Sequence, residues 1–116
     1  GLSSFPLLVG KDASKNINAL LALVNEIGSY QSEVLYYEWV GERRWDIHMK
    51  SELVFKLPEN NLNKGLNVMR MFLRETNKLS KTVVSIDLRN IDKPIIRFRK
   101  APPVEYIGKN VRRLAG

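Results

Sequence analysis

Val83-Val84-Ser85-Ile86-Asp87-Leu88-Arg89, followed after Asn90-Ile91-Asp92-Lys93 by Pro94-Ile95-Ile96-Arg97-Phe98-Arg99, is the stretch that decides the fold. Val84, Ile86 and Leu88 alternate with Ser85, Asp87 and Arg89, which is the period of a strand with one aliphatic and one polar face. Asn90 to Lys93 is turn chemistry, because Asn and Asp side chains bond their own backbone. Pro94 brings no N–H to a ladder, so the strand behind it is expected at a sheet edge. An edge strand keeps a row of main-chain donors and acceptors that another chain can complete, so this strand is either protected or a docking site.

Working upstream, Asn60 or Asn61 is placed to cap a helix whose apolar stripe is Leu62, Leu66, Met69, Leu73 and Thr76, with Gly65 and Asn67 weakening it. Arg70, Arg74 and Lys78 fall on its outer, solvated face. Before it, Leu53, Phe55 and Leu57 alternate up to Pro58, Trp45, Ile47 and Met49 alternate after Gly41-Glu42, and Leu35, Tyr37 and Trp39 alternate from Glu33. These runs predict three consecutive antiparallel strands. Further upstream, Asp12 is placed to cap a helix with the stripe Ile17, Leu20, Leu21, Val24 and Ile27, closed by Gly28, in which the small Ala19 and Ala22 allow close approach to a sheet. Phe5 to Val9 is the first strand, and the only one expected to reach its successor through a helix. The order is β-α-β-β-β-α-β-β, an α+β fold with a largely antiparallel sheet and two helices on one face. Residues 1–100 form the expected domain. Pro102-Pro103 ends strand structure, so residues 101–116 are a basic tail, expected to be partly disordered or docked.

Three of these stretches resemble the FtsQ/DivIB family of bacterial cell-division proteins. Val84 to Arg89 with its basic, aliphatic successor is similar to the terminal hairpin of the membrane-distal β domain, in which an aspartate-hydrophobic-arginine step precedes the last strand. Phe5-Pro6-Leu7-Leu8-Val9-Gly10 resembles the opening of that domain, and Gly41-Glu42-Arg43-Arg44-Trp45-Asp46-Ile47 resembles its arginine-arginine-tryptophan strand. They stand in the family's order over Leu2 to Arg99, although Asn90 replaces an aromatic found in some relatives. The resemblance implies a non-catalytic scaffold of the septal cell-wall machinery that recruits FtsB and FtsL. It further implies a periplasmic domain, held to the inner membrane by one N-terminal span and preceded by a small POTRA domain. It assigns partner binding to Arg89, to Phe98 if the last strands align without a gap, and to Arg43 or Arg44. With the edge strand, the candidate binding set is Arg89, Asn90, Ile95, Ile96, Arg97, Phe98, Arg43 and Arg44. Arg89 has the alternative of pairing within the chain with Asp92 or Asp46.

Composition agrees with one small domain, since 116 residues bury a core without staples. Cysteine is absent, which removes disulfides, thiolate catalysis and cysteine-based zinc sites. No apolar run approaches the roughly 20 residues that cross a bilayer, and Leu2 to Val9 has no basic leader, so the chain reads as soluble without a signal peptide. The net charge of +7, from 19 Lys and Arg against 12 Asp and Glu, gathers in Arg97, Arg99, Lys100, Lys109, Arg112 and Arg113. One histidine, His48 on an outward strand position, excludes a His-rich metal site, and the serines lie in no nucleophile elbow. Val9-Gly10-Lys11-Asp12 lacks the upstream glycine and the Ser or Thr of a phosphate loop. No cofactor or metal is expected. Asp46, Glu52 and Lys56 share an outward face but not a nuclease spacing. Tyr36, Tyr37, Trp39 and Trp45 beside basic strands raise the alternative of a small nucleic-acid-binding α+β domain, without a glycine-aromatic RNA-binding signature to support it.

Overall fold

A computed structural model describes residues 7–75, 82–107 and 110–113. Among them, alternating segments form β1 (Leu8–Val9), β2 (Val34–Val40), β3 (Arg44–Met49), β4 (Val54–Lys56), β5 (Val83–Asp87), β6 (Ile95–Phe98), β7 (Val104–Ile107) and β8 (Asn110–Arg113). The helices are α1 (Ile17–Ile27) and α2 (Leu62–Leu73). The strands form one eight-stranded sheet in sequence order. The β1–β2 and β4–β5 pairings are parallel and the remainder antiparallel. This is the α+β architecture with a largely antiparallel sheet.

Register explains the burial. Leu8 lies opposite Tyr37, Tyr37 opposite Ile47, Ile47 opposite Phe55, Phe55 opposite Ile86, Ile86 opposite Ile96, and Ile96 opposite Val104. Directly opposed residues share a sheet face, so this row is one apolar stripe across seven strands. Leu20, Leu23 and Ile27 of α1 and Leu66, Met69, Phe72 and Leu73 of α2 join it in a single core. Both helices therefore cover the same face.

Several expectations are corrected. The strand Ile95–Phe98 is not an edge, because β5 pairs with one side of it and β7 with the other. Pro94 is compatible with this interior place because it heads the strand and uses its carbonyl, which accepts from Tyr106 N–H at 2.7 Å. Pro102-Pro103 interrupts the ladder only briefly, and Val104 returns the chain to the sheet. The β4–α2–β5 connection is a second helical crossover between parallel strands. Asp12 does not cap a helix with its side chain; it takes a left-handed conformation, φ 62°, before a 3-10 turn at Ala13–Asn16. On α1 the buried stripe is Leu20, Leu23 and Ile27, while Ile17, Leu21, Ala19 and Ala22 are exposed. Leu35 is exposed where the β2–β3 register shifts between Val34 and Tyr36. On α2, Arg70 is not merely solvated, since its guanidinium donates to Glu26 O at 3.0 Å and ties the helices together. Asn61 occupies the N-cap position of α2 without a side-chain cap bond. Thr76 and Lys78 lie outside the described residues.

Gly65 is a case where packing overrides helix propensity. A Cβ there would lie 2.6 Å from Pro58 Cδ and 2.8 Å from Cγ, against a ring that cannot swing aside. Alanine normally favours a helix over glycine by about 0.8–1 kcal/mol. Here Gly65→Ala is expected to destabilise by about 1–3 kcal/mol through overpacking and to lower Tm in a thermal melt. An unchanged or higher Tm would show that the Pro58 loop moves freely. At the centre of the row, fully buried Phe55 gives the complementary case: Phe55→Ala should cost about 3–5 kcal/mol in urea unfolding.

Candidate partner-binding end of the sheet

The turns carrying the candidate arginines project from one end of the sheet. Asp46 pairs with Lys56, Lys56 with Asp87, and Asp87 with Ile95, so the chain just before Asp46 and just after Lys56 and Asp87 leaves the sheet on the same side. Arg43 and Arg44, the Pro58–Asn61 loop and the Leu88–Lys93 turn are thereby brought together. Leu88 N–H donates to Lys56 O at 2.8 Å, which holds the β5 exit beside the β4 exit. Asn90 fixes the following turn through its Oδ1, which accepts from Asp92 N–H at 3.2 Å, and its carbonyl, which accepts from Lys93 N–H at 3.1 Å. Between the two loops lies an open cleft of about 340 Å³, lined by Pro58, Glu59, Asn60, Asn61, Arg89, Asn90, Ile91 and Asp92.

Arg89 is held at this cleft by Asp87, two residues earlier on the same strand face. Asp87 Oδ1 accepts from the Arg89 backbone N–H at 3.0 Å and from Nε at 2.9 Å. Oδ2 accepts from Nε at 3.0 Å and from Nη2 at 2.5 Å. The Asp87 side chain is 6% exposed and that of Arg89 50%. Burial pushes the Asp87 carboxyl up, but the Arg89 hydrogen bonds and charge, with Lys56, outweigh it and leave the pKa below the ordinary 3.8. The intrachain partner of Arg89 is thus Asp87 rather than Asp92 or Asp46. Asp46, on the far side of Lys56, behaves oppositely. Burial raises its pKa, and the Arg44 charge and hydrogen bond at 3.2 Å oppose this without cancelling it.

The candidate residues do not form one patch. Arg43 is exposed in the β2–β3 turn, Arg44 leans on Asp46, and Arg89 and Asn90 are exposed beside them. Ile95 is half-buried on the face opposite the helices, opposite Asp87. Ile96 points into the core at 6% exposure, so its side chain is withdrawn from any partner. Arg97 and Phe98 lie toward the other end, where Phe98 lines a second cleft of about 600 Å³ with Thr82, Arg99, Lys100 and Ala101. Asp87 is the residue that sequence reading missed; an aspartate two positions before an arginine on one strand face was its signal.

The competing chemistries are separated in space. Asp46 and Lys56 are cross-strand partners, but Glu52 sits in the β3–β4 turn and accepts from Arg99 Nη2 at 3.3 Å. Among the described residues no group of three or more His, Asp or Glu is arranged to hold a metal. Tyr37 and Trp45 are core residues, and Trp39 packs against that core with its ring 4.9 Å from Trp45. Tyr36 lies on the open face, stacked at 4.1 Å on His48, which in turn shares a 2.8 Å hydrogen bond with Glu38.

The two row carboxylates predict opposite mutational signs. A folded pKa below the unfolded one means that Asp87 contributes stability above pH 3.8, lost as pH falls through the folded value. Asp87→Asn should therefore cost about 1 kcal/mol at pH 7, at the low end because Arg89 is half in water, and the gap to the parent should close on acidification. Asp46 has a folded pKa above the unfolded one, so its ionised form is penalised at neutral pH and relieved as pH falls. Asp46→Asn should raise the urea midpoint at pH 7, with the gain fading in acid. Urea titrations at several pH values check both signs.

The comparisons with known proteins bear on the same region. The family model for the C-terminal domain of cell division protein FtsQ/DivIB matches residues 2–89. The chain is 33% identical over 96 residues to cell division protein FtsQ of Rhizobium radiobacter, covering 83% of this chain and 46% of that protein. It is 33% identical to the FtsQ of Agrobacterium fabrum over 83% of this chain and 30% of that protein. The corresponding protein of Bradyrhizobium diazoefficiens is 31% identical over 82% of this chain and 28% of its own length. The chain thus spans less than half the length of these relatives. No solved structure matches it. With the match covering β1 to β5 and ending at the Arg89 that the β5 exit presents, the chain belongs to the FtsQ/DivIB family of bacterial cell-division proteins.

Proposed function

We propose that this domain is a non-catalytic scaffold of the divisome that binds FtsB/FtsL-type partners at the end of the sheet bearing Arg89. The observation that carries this reading is the convergence of Arg43, Arg44, Arg89 and Asn90, far apart in sequence, around one set of turns. Guanidinium groups there suit acidic side chains of a partner, in charge-assisted and geometrically selective contacts. In the full-length protein a single N-terminal span would anchor the domain at the periplasmic face of the inner membrane, so that binding recruits partners to the site of septal wall synthesis.

Main-chain pairing supplies a second term, and the edge that offers it is β8 rather than β6. Tyr106 N–H donates to Pro94 O on the β6 side, so at the Tyr106–Val111 pair the main chains turn away from each other. The N–H and C=O of Val111 consequently face outward from the last strand of the described sheet, where an extended partner segment can add by β-augmentation. Arg97 and Phe98, toward the opposite end of β6, would contact a partner only if it extended along the sheet.

The direct test is a pull-down of this domain with the periplasmic segment of the FtsB-type protein of the same organism. A well-folded domain, extended through its natural N-terminal portion, that captures nothing would remove the scaffold reading. Arg43→Glu is expected to weaken binding about tenfold while leaving Tm unchanged, since Arg43 is exposed and reversal of a rim charge acts on association. Val111→Pro removes an outward donor and should abolish the strand-pairing contribution with little loss of fold. Unchanged affinity in the proline variant would exclude β8 as the docking edge.

A further inference from the structure

Arg89 and Asp87 form a side-on ion pair whose geometry matters for recognition. A guanidinium has two forks that suit a carboxylate: the side fork of Nε with one Nη, and the end fork of the two Nη groups. Asp87 takes the side fork, with Nε at 2.9 Å from Oδ1 and Nη2 at 2.5 Å from Oδ2. The same Oδ1 also accepts the Arg89 backbone N–H at 3.0 Å, so the carboxylate fixes the start of the side chain as well as its head. Asp87 itself is locked: it is 5% exposed, within the β5 ladder, and flanked by Lys56 and Ile95 on the neighbouring strands. Arg89 is half in water at the cleft mouth.

We infer that Asp87 is a positioning residue for partner recognition, clamping the side fork of Arg89 so that the end fork is presented, already oriented, to a carboxylate of the bound protein. This rests on the partner-binding reading proposed above. An exposed arginine normally loses side-chain freedom when it is captured, and a clamp that removes that freedom beforehand reduces the cost of binding. Burial keeps Asp87 from swinging out to compete for solvent or partner cations. The opposing effect is that Asp87 partly neutralises Arg89, which lowers long-range attraction and leaves directional hydrogen bonding as the source of selectivity. A lysine at position 89 could not replace Arg89, because an ammonium has no second fork to offer while the first is occupied.

Two measurements test this. The first is a double-mutant cycle on affinity for the periplasmic segment of the FtsB-type partner, using Asp87→Asn, Arg89→Gln and both together. Asp87→Asn should weaken binding about five- to tenfold in the parent and less than twofold in the Arg89→Gln background. Equal losses in both backgrounds, or none in the parent, would overturn the inference. The second is NMR of the arginine Nε–Hε groups in the free domain, which needs no variant. Arg89 Hε should exchange with water far more slowly than that of exposed Arg43, and Asp87→Asn, where it folds, should erase the difference. Fast exchange in the parent would sink the positioning role by itself. Should the parent domain bind no segment, the partner reading fails, whereas slow exchange at Arg89 would still establish the clamp.

Discussion

The structure depends on one alignment: the aliphatic and aromatic residues of successive strands meet in register on a single face of the sheet. Tyr37, Ile47, Phe55 and Ile86 stand directly opposite one another on four neighbouring strands, and Ile96 and Val104 continue the line. A slip by one residue in any pairing would move that strand's apolar set to the opposite face and break the core. Because α1 and α2 both seat on this row, their places follow from it. The two parallel pairings follow as well, since each helix returns the chain to the same end of the sheet from which the preceding strand began.

The other face inherits what the alignment leaves over. Glu38, Asp46, Lys56, Asp87 and Glu105 occupy the next row across the strands, so carboxylates and a lysine meet side by side without any chosen spacing in the sequence. Asp46 and Asp87 are both nearly buried yet shift in opposite directions, because Asp87 receives four hydrogen bonds from Arg89 whereas Asp46 receives a single one from Arg44. Burial alone does not set the direction of a carboxylate's pKa shift; the donors to its oxygens and the neighbouring charges, Glu38 beside Asp46 and Lys56 beside Asp87, enter with it. Asp87, better satisfied than Asp46, lies beneath the arginine that the family resemblance singles out.

The extension beyond β5 shapes the surface most. The family match ends at Arg89, and β6, β7 and β8 follow it. Val104 and Tyr106 of β7 connect with the shared core, Tyr106 meeting Phe72 edge-on at 5.3 Å. This anchoring lets a short two-residue pairing hold β7 against β6, and it moves the outward-facing main chain to β8. In a small antiparallel sheet, a few anchored residues at the end of a chain thus decide which strand is available for pairing.

Period-2 alternation in the strands, with helical spacing in the two apolar stripes, determined the α+β class, the inward residues of β3 and β4, and the burial of Trp45, Phe55 and Ile86, because in a one-sided sheet the local pattern and the global burial are the same fact. In β5 the alternation points to Val84, whereas the register shift between Val83 and Ser85 puts Val83 into the core instead. The Arg-Arg-Trp and Asp-Leu-Arg steps likewise carried the family resemblance without any structure. What only the tertiary structure decided was whatever depends on a partner distant in sequence. Pro94 reads as an edge signal until Tyr106 supplies the donor for its carbonyl. Gly65 reads as a weakness of α2 until the Pro58 ring is found against it. Leu23 displaces Ile17 and Leu21 from the buried stripe of α1 because the rotation of a helix about its axis is set by the sheet it meets, not by its own period. Whether Arg43 and Arg89 belong to one surface was equally beyond the sequence, since the distance between two turns is fixed by strand order and register, and neither is written in the turns themselves.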